Sequence, residues 1–324
     1  AAGWSAYASK IFAMPFAFVD YGEGIEIIGY GGGGIVNIPS TLSGKRVLSI
    51  GMSVFENLNI TKVTFPSSLT NIGSYAFSGC TNLTEMFLPN NLTSIGSFAF
   101  DNCSGLTGTL VIPSGVTSIG SAAFNCCSGL TGTLDIPSGV TSIGDWAFAY
   151  CSGLTGTLTI PSGLTVINVY AFYECSSITE IIFHNNITSI GNSAFAGFIG
   201  LTGTLVIPNS VTSIGNYTFR GCSGLTEIIL PSNLTSIGNY AFTACSGLTT
   251  ITVPSGITSI GYRAFYECSN LASFYIDAIT PPTLSTGVFD YCAAGIIIYV
   301  PASSLNAYKT AANWSTLASR IFAQ

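Results

Sequence analysis

A segment of 22 to 24 residues recurs about eleven times along this 324-residue chain and constrains its fold more than any single motif. The clearest copy, SGLTGTLVIPSGVTSIGSAAF, runs from Ser104 to Phe124. The phenylalanines that close the copies are Phe55, Phe77, Phe100, Phe124, Phe148, Phe172, Phe195, Phe219, Phe242, Phe265 and Phe289. So short a period predicts a solenoid, because one such unit cannot bury its apolar side chains without neighbours.

Each copy carries two short strand signals separated by a proline. Apolar residues alternate in LTGTLVIP (Leu106–Pro113), and the proline ends the strand because it has no N–H to donate. The following GVTSIG (Gly115–Gly120) predicts a second strand, and its last glycine is expected to adopt a positive φ in a tight turn. The extra residue of the 24-residue copies predicts a bulge or a longer turn. Stacked copies should therefore form two parallel sheets, with the LTxIxxP strands lining the concave side.

Nine of the ten cysteines lie three residues after the repeat phenylalanine, where two other copies have Leu58 and Phe198. A position shared by Cys, Leu and Phe predicts a buried apolar slot, in which free cysteine packs as a small hydrophobic residue. Stacked rungs hold the Cα–Cβ bonds of equivalent residues parallel to each other instead of pointing towards each other, which disfavours disulfides. The sequence thus predicts a ladder of reduced thiols, with out-of-phase Cys126 as the only exposed one. A disulfide or metal site is the alternative.

Composition limits the partners of the chain. Only 7% of residues are charged and the mean hydropathy is +0.56, yet no apolar run approaches the roughly 18 residues that cross a bilayer. The eight Lys and Arg residues are scattered and the net charge is −6. Nucleic acid binding needs clustered cations that displace counterions. We therefore expect neither a membrane span in this chain nor a nucleic acid partner.

No constellation of reactive groups stands out. An enzyme needs titratable side chains that converge in a pocket, but the acidic residues are dispersed and the single histidine is His184. His184 takes the place of the strand-ending proline, so an exposed structural role is favoured over a catalytic base. Nucleotide-binding and calcium-binding motifs are missing from the sequence. We expect no enzymatic activity, no catalytic residues, no metal site and no cofactor.

The rows LTSIGxxAFxxCSxLTxIxLP resemble the leucine-rich repeats of the BspA type, also called the Treponema pallidum type. The resemblance covers about residues 38–301. It implies a mainly β, right-handed leucine-rich-repeat solenoid with short capping elements. Gly24–Gly51 resembles the amino-terminal cap and first rung of that family, and Ile296–Trp314 resembles its closing strand and short helix. Family members are secreted or surface-displayed proteins of bacteria and some parasitic protists, and several are adhesins for host matrix proteins or other cells.

The two ends of the chain repeat each other. Residues 1–14 match residues 311–324 at nine of fourteen positions. We interpret residues 1–14 as the tail of a preceding module in a tandem array, with a cap motif used at both ends as the alternative. The predicted organisation continues with an amino-terminal cap (15–37), the solenoid (38–301), and a carboxyl-terminal helical cap with the start of a linker (302–324). Helix is expected within Ser303–Ala312.

Two rows of side chains are candidate binding surfaces. The residue two before the strand-ending proline should point outward, and an outward apolar run can mark a partner site, although β-branched residues also simply favour strands. The predicted ligand-binding residues of this row are Phe87, Ile182, Val206, Ile229, Tyr275 and Tyr299. A second row, two residues before the repeat phenylalanine, could contact glycan or protein or form a half-buried lid. It comprises Tyr75, Phe98, Trp146, Tyr170, Tyr217 and Tyr240.

These observations favour a non-catalytic binding module. The resemblance implies that it is extracellular, as a cell-surface adhesin that presents its concave sheet to a host matrix protein or a neighbouring-cell protein. One alternative is a structural spacer or stalk in a tandem array. Another is a carbohydrate-binding surface on the aromatic row, with a glycan as partner.

Overall fold

Short parallel strands dominate the fold, as the repeat predicts. The computed structural model describes residues 15–324, so the segment interpreted as a preceding module's tail (1–14) lies outside the described residues. These residues form two compact units, one ending at Gly153 and the other running from Leu154 to Gln324. In each unit, successive copies of the repeat stack as parallel-strand turns. The prediction of a mainly β, leucine-rich-repeat solenoid is therefore confirmed.

The first unit opens with a β-hairpin that precedes its repeats. Its strands are β1 (Phe16–Asp20), β2 (Ile25–Tyr30), β3 (Ile35–Asn37), β4 (Thr41–Leu42), β5 (Lys45–Ile50), β6 (Lys62–Thr64), β7 (Asn71–Ile72), β8 (Ser94–Ile95), β9 (Ser118–Ile119) and β10 (Ser142–Ile143). Strands β1 and β2 form an antiparallel hairpin, and β2 pairs in parallel with β5. The sheet then continues with parallel strands in the order β5-β7-β8-β9-β10. Strand β3 pairs with β6, whereas later LTxIxxP segments of this unit make isolated bridges.

The second unit has a sheet on both sides of its turns. Its strands are β11 (Gly156–Thr159), β12 (Val166–Ile167), β13 (Ile178–Ile182), β14 (Ser189–Ile190), β15 (Gly203–Val206), β16 (Ser213–Ile214), β17 (Leu225–Ile229), β18 (Ser236–Ile237), β19 (Thr250–Val253), β20 (Ser259–Ile260), β21 (Ser273–Ile276), β22 (Thr283–Leu284), β23 (Ile297–Val300) and β24 (Ile321–Ala323). The TSIG segments form the six-stranded sheet β12-β14-β16-β18-β20-β22. The LTxIxxP segments form β15-β17-β19-β21-β23-β24, and β11 pairs with β13.

The phenylalanine column forms the core of each unit. In the first unit, the ring centroids of Phe100 and Phe124 lie 5.4 Å apart and those of Phe124 and Phe148 lie 5.5 Å apart, with nearly parallel planes. In the second unit, Phe219 stacks at 5.7 Å on both Phe195 and Phe242. All of these rings are fully buried. The predicted alignment of equivalent side chains into columns is therefore confirmed.

The strands of two 24-residue copies change register against the next strand, where a bulge or a longer turn is predicted. The register of β11 against β13 shifts between Gly156 and Thr157, and that of β15 against β17 shifts between Gly203 and Thr204. Both glycines have a positive φ, 75° and 74°, which a residue without Cβ adopts at little cost.

The role expected for the glycine that ends each TSIG segment is wrong. Gly120 does not have a positive φ; instead, a Cβ there would lie 2.4 Å from the backbone nitrogen of Ser97 in the preceding turn. Close approach of neighbouring turns, rather than backbone handedness, excludes a side chain. The left-handed positions instead flank the core phenylalanine, as at Tyr240 (φ 56°) and Ala244 (φ 59°) around Phe242.

The cysteine column is buried and also hydrogen-bonded. The thiol of Cys103 donates to the carbonyl oxygen of Phe77 at 3.1 Å, and that of Cys245 donates to Phe219 at 3.1 Å. The same bond recurs at Cys80, Cys127, Cys151, Cys222, Cys268 and Cys292. These carbonyls also accept a backbone N–H, as Phe77 does from Cys80, so the weak thiol donor adds a second hydrogen bond that leucine could not make.

The prediction that Cys126 alone is exposed is wrong. Cys126 is half-buried, and in-phase Cys292 is half-buried as well, while the other eight thiols are buried. Cys292 belongs to the last phenylalanine-containing turn, so no further turn of that kind covers it. All ten cysteines are free.

Residues after β23 close the second unit. A 3₁₀ turn (Ala302–Ser304), the helix α1 (Leu305–Thr310) and a 3₁₀ helix (Ser315–Arg320) follow, which places the helix within the expected Ser303–Ala312. The Tyr308 hydroxyl donates to the carbonyl of Ala278, and the Trp314 indole donates to that of Pro282, each at 2.8 Å. The chain after α1, interpreted as the start of a linker, thus packs on the last turns and ends in β24.

Candidate binding face on the strand side

The outward side chains of the sheet β15-β17-β19-β21-β23-β24 form one row in register, which we call the strand face. Its members are Val206, Ile229, Thr252, Tyr275, Tyr299 and Phe322. The intervening side chains, such as Leu205 and Ile228, are buried. Strand alternation therefore places this row towards solvent, as the position two residues before the proline predicts.

The strand face is apolar over most of its length. Val206, Ile229 and Phe322 are 55%, 47% and 49% exposed. Tyr275 and Tyr299 are half-buried and stack with centroids 4.6 Å apart and planes at 11°. Only Thr252 interrupts the row with a polar side chain. Stacked rings have little freedom to lose on binding, so this part of the face is preorganised.

The structure does not bring all the sequence-predicted residues together. Val206, Ile229, Tyr275 and Tyr299 share the strand face. Ile182 is 46% exposed in the same unit but pairs with Thr159 in the separate β11–β13 pair. Phe87 belongs to the first unit, outside any named strand, and is 72% exposed.

Phe322 is the strand-face residue that sequence reasoning missed. It lies on β24, which carries no repeat signature, and it pairs in register with Tyr299. The near-repeat of residues 1–14 and 311–324 includes this phenylalanine, but a pattern match gives no sign that Ile321–Ala323 is a strand.

A polar column runs beside the strand face. The hydroxyl of Thr204 donates to the carboxylate of Glu227 at 2.8 Å, and that of Thr157 donates to Glu180 at the same distance. At the other flank, the Gln324 side-chain amide donates to Asp277 at 3.1 Å. Neutral donors thus hold these carboxylates, and among residues 15–324 no cation pairs with Glu180, Glu227 or Asp277.

An open groove of about 470 Å³ crosses the strand face. Ile229, Thr252 and Pro254 line it together with the carboxylate-bearing Glu227 and Asp277. It lies where β17 and β19 meet through a single register pair, Ile229 with Thr252. The groove is therefore a surface recess with apolar and acidic sides, and it differs from an enclosed catalytic pocket.

The single histidine has a local structural contact. Its Nδ1 accepts a hydrogen bond from the backbone N–H of Asn186 at 3.2 Å, within the turn after β13. Across residues 15–324, no group of three His, Cys, Asp or Glu residues is arranged to hold a metal ion. In the same residues, no helix is long and apolar enough to cross a membrane.

Most side chains of the aromatic row are half-buried, whereas Tyr217 is exposed. Tyr75 stacks on Phe98, and Tyr217 stacks on Tyr240, each with centroids 4.7 Å apart. All four occupy left-handed backbone positions beside the core phenylalanines. Near the end of the row, the Arg263 guanidinium lies over two flanking tyrosine rings, which ties these side chains to one another.

Comparison with known proteins agrees with this architecture. Residues 48–152, 106–205 and 201–316 match the family model described as the BspA type leucine rich repeat region. Among solved structures, a leucine-rich cell surface protein from Faecalibacterium prausnitzii is 27% identical, with a TM-score of 0.57, over 90% of this chain and 95% of its own. The T. pallidum leucine-rich repeat protein is 31% identical, with a TM-score of 0.54, over 58% and 89%.

A more distant structure shares the fold alone. The pneumococcal vaccine antigen PcpA is 18% identical, with a TM-score of 0.54, over 95% of each chain. No curated protein gives a significant match.

Proposed function

Because the chain belongs to the BspA-type leucine-rich repeat family, we propose that it is an extracellular, non-catalytic binding module that acts as a cell-surface adhesin. Its strand face would contact a host matrix protein or a protein of a neighbouring cell. The observation that carries the proposal is the apolar row Val206, Ile229, Tyr275, Tyr299 and Phe322, held in register and turned outward. The repeat fold is typically a non-enzymatic scaffold for protein binding.

The physical reason is the cost of exposed apolar surface. Isolated exposed apolar residues are ordinary, but contiguous ones on a soluble protein mark interaction sites. Aromatic residues also dominate the binding energy of protein interfaces, and stacked Tyr275 and Tyr299 supply such anchors. The low charge of the chain further reduces the desolvation that binding requires.

One relative supports the proposed location at the cell surface. The F. prausnitzii relative is described as a cell surface protein, and its likeness extends over 90% of this chain. A surface location would bring the strand face into contact with other cells and their matrix.

The test is binding of the fluorescently labelled chain to matrix deposited by cultured fibroblasts. The variant I182S/I229S/Y275S removes three sequence-predicted contact residues, of which Ile229 and Tyr275 lie on the strand face. A matched control, I199S/I279S/Y291S, removes the same residue types from exposed positions away from the strand face. We expect the first variant to bind at least about tenfold more weakly, because each anchor contributes on the order of 1 kcal/mol or more. The control should bind like the wild type.

Equal binding by both variants would overturn the proposal. It would favour the spacer, in which the repeats only extend another domain and no face carries affinity. Thermal unfolding of both variants establishes that the difference arises at the surface rather than from loss of folding.

A further inference from the structure

We propose that the groove at Ile229 receives a basic side chain, lysine or arginine, from an apolar segment of the partner protein. This inference rests on the proposed function of the strand face and specifies its partner. Three observations carry it: the dimensions of the groove, its uncompensated carboxylates, and the apolar surface on both of its flanks.

The groove is large enough for one long side chain. Its volume of about 470 Å³ falls within the range of roughly 300–1,000 Å³ typical of small-ligand sites. Ile229 and Pro254 offer apolar surface to a methylene chain, while Glu227 and Asp277 stand beside the same recess. Lysine and arginine combine an apolar stem with a cationic end, so they match both features.

Within residues 15–324, Glu227 and Asp277 form no ion pair. In the part of the chain that the structure describes, the ion pairs join Lys45 to Asp20 and Lys62 to Glu85, all in the first unit. Glu227 and Asp277 accept hydrogen bonds from a hydroxyl and an amide. A charge-assisted hydrogen bond to a partner's cation is stronger than these neutral contacts.

Long-range electrostatics act in the same direction. The net charge of −6 attracts cationic segments and slows the approach of acidic ones. An acidic partner would place like charges against Glu227 and Asp277, which costs affinity, so the groove discriminates as well as binds.

The flanks of the groove specify the rest of the segment. On one side lies exposed Val206, and on the other lie Tyr275 and its stacking partner Tyr299. A segment whose basic residue enters the groove therefore places its neighbouring residues on apolar and aromatic surface. The expected partner sequence is a lysine or arginine flanked by aliphatic or aromatic residues.

Selection from a random library of 12-residue peptides displayed on phage tests this inference. The library is panned on the intact chain, and enriched peptides are synthesised and titrated by fluorescence anisotropy. We expect enriched peptides to carry lysine or arginine beside apolar residues. Their affinity for E227Q/D277N should be at least tenfold lower, and raising the salt concentration should weaken wild-type binding.

The chain offers a matched control, E180Q/D290N. Glu180 lies in the same column with the same threonine bond, and Asp290 is exposed near the last turn, but neither lines the groove. This control should bind the peptides like the wild type. Peptides without basic residues, equal losses in both double variants, or no enrichment at all would each overturn the inference.

The two proposals fail in distinguishable ways. If I182S/I229S/Y275S loses matrix binding while E227Q/D277N keeps it, the strand face binds but the basic-segment inference is wrong. If matrix binding survives both sets of changes, the proposed function itself is wrong.

Discussion

The two units share one repeat but differ on their LTxIxxP side. In residues 154–324 these segments pair into the sheet β15-β17-β19-β21-β23-β24 and hold the strand face in register. In residues 15–153 the equivalent contacts beyond β3–β6 are isolated bridges, such as Lys62 with Glu85 and Val111 with Asp135. The same core therefore supports either a continuous face or an interrupted one.

Repeat length alone does not set the continuity of this side. In the first unit, isolated bridges join two 24-residue copies with left-handed Gly108 and Gly132. In the second unit, four residue pairs join β15 to β17, whereas β17 meets β19 through one pair although neither carries the extra residue.

The strand sides of the two units also differ in charge. The Glu85 carboxylate of the first unit is neutralised by Lys62 at 2.9 Å, whereas Glu227 of the second has a hydroxyl partner. Asp135 also places a charge in the first unit's outward row, whereas the strand face of the second unit carries no charged side chain. We therefore expect binding at the second unit and a mainly structural role for the strand side of the first.

The largest expected effect is alkaline unfolding of both units together. Burial raises the pKa of Cys80 to about 11 and that of Cys292 to about 12, from a usual value of 9.0. Above pH 9 the unfolded chain loses thiol protons that the folded chain keeps, so the free energy of unfolding falls as pH rises. Each thiol contributes at most about 1.4 kcal/mol per pH unit, and the columns contain several. Far-UV circular dichroism should show cooperative unfolding between about pH 9 and 12.

The expected similarity of the two cores fails if the two units unfold at different pH values. A transition that removes only half of the signal would show that the buried thiols stabilise one unit more than the other. A spectrum unchanged at pH 12 would contradict the buried thiol column altogether.

Next in size is the cost of removing one core phenylalanine from each unit. Phe124 and Phe219 are both fully buried and stacked on both sides. F124A and F219A should each lower the free energy of unfolding by about 3–5 kcal/mol in urea titrations. The control F87A removes an exposed ring and should change it by less than about 0.5 kcal/mol. Clearly unequal costs for F124A and F219A would mean that the units also differ in their cores.

The sequence predicted what depends on the period and missed what depends on packing between turns. The Phe124 column follows from repeat spacing, and the left-handed glycine at position 156 lies in the segment that the added residue lengthens. The glycine at position 120 is required by the close approach of a neighbouring turn rather than by a positive φ, and a single copy of the repeat does not reveal that approach. The thiol bond of Cys103 and the position of Phe322 likewise depend on contacts across turns.

The central claim is that partners contact the strand face of the second unit. The most direct measurement places the photocrosslinker p-benzoylphenylalanine at position 275, 87 or 291 and irradiates the labelled chain on fibroblast-deposited matrix. Position 275 lies on the strand face, 87 is exposed in the first unit, and 291 is exposed away from the row. We predict adducts from position 275 and background yields from the other two. Equal yields at all three positions, or none at 275, would contradict the claim.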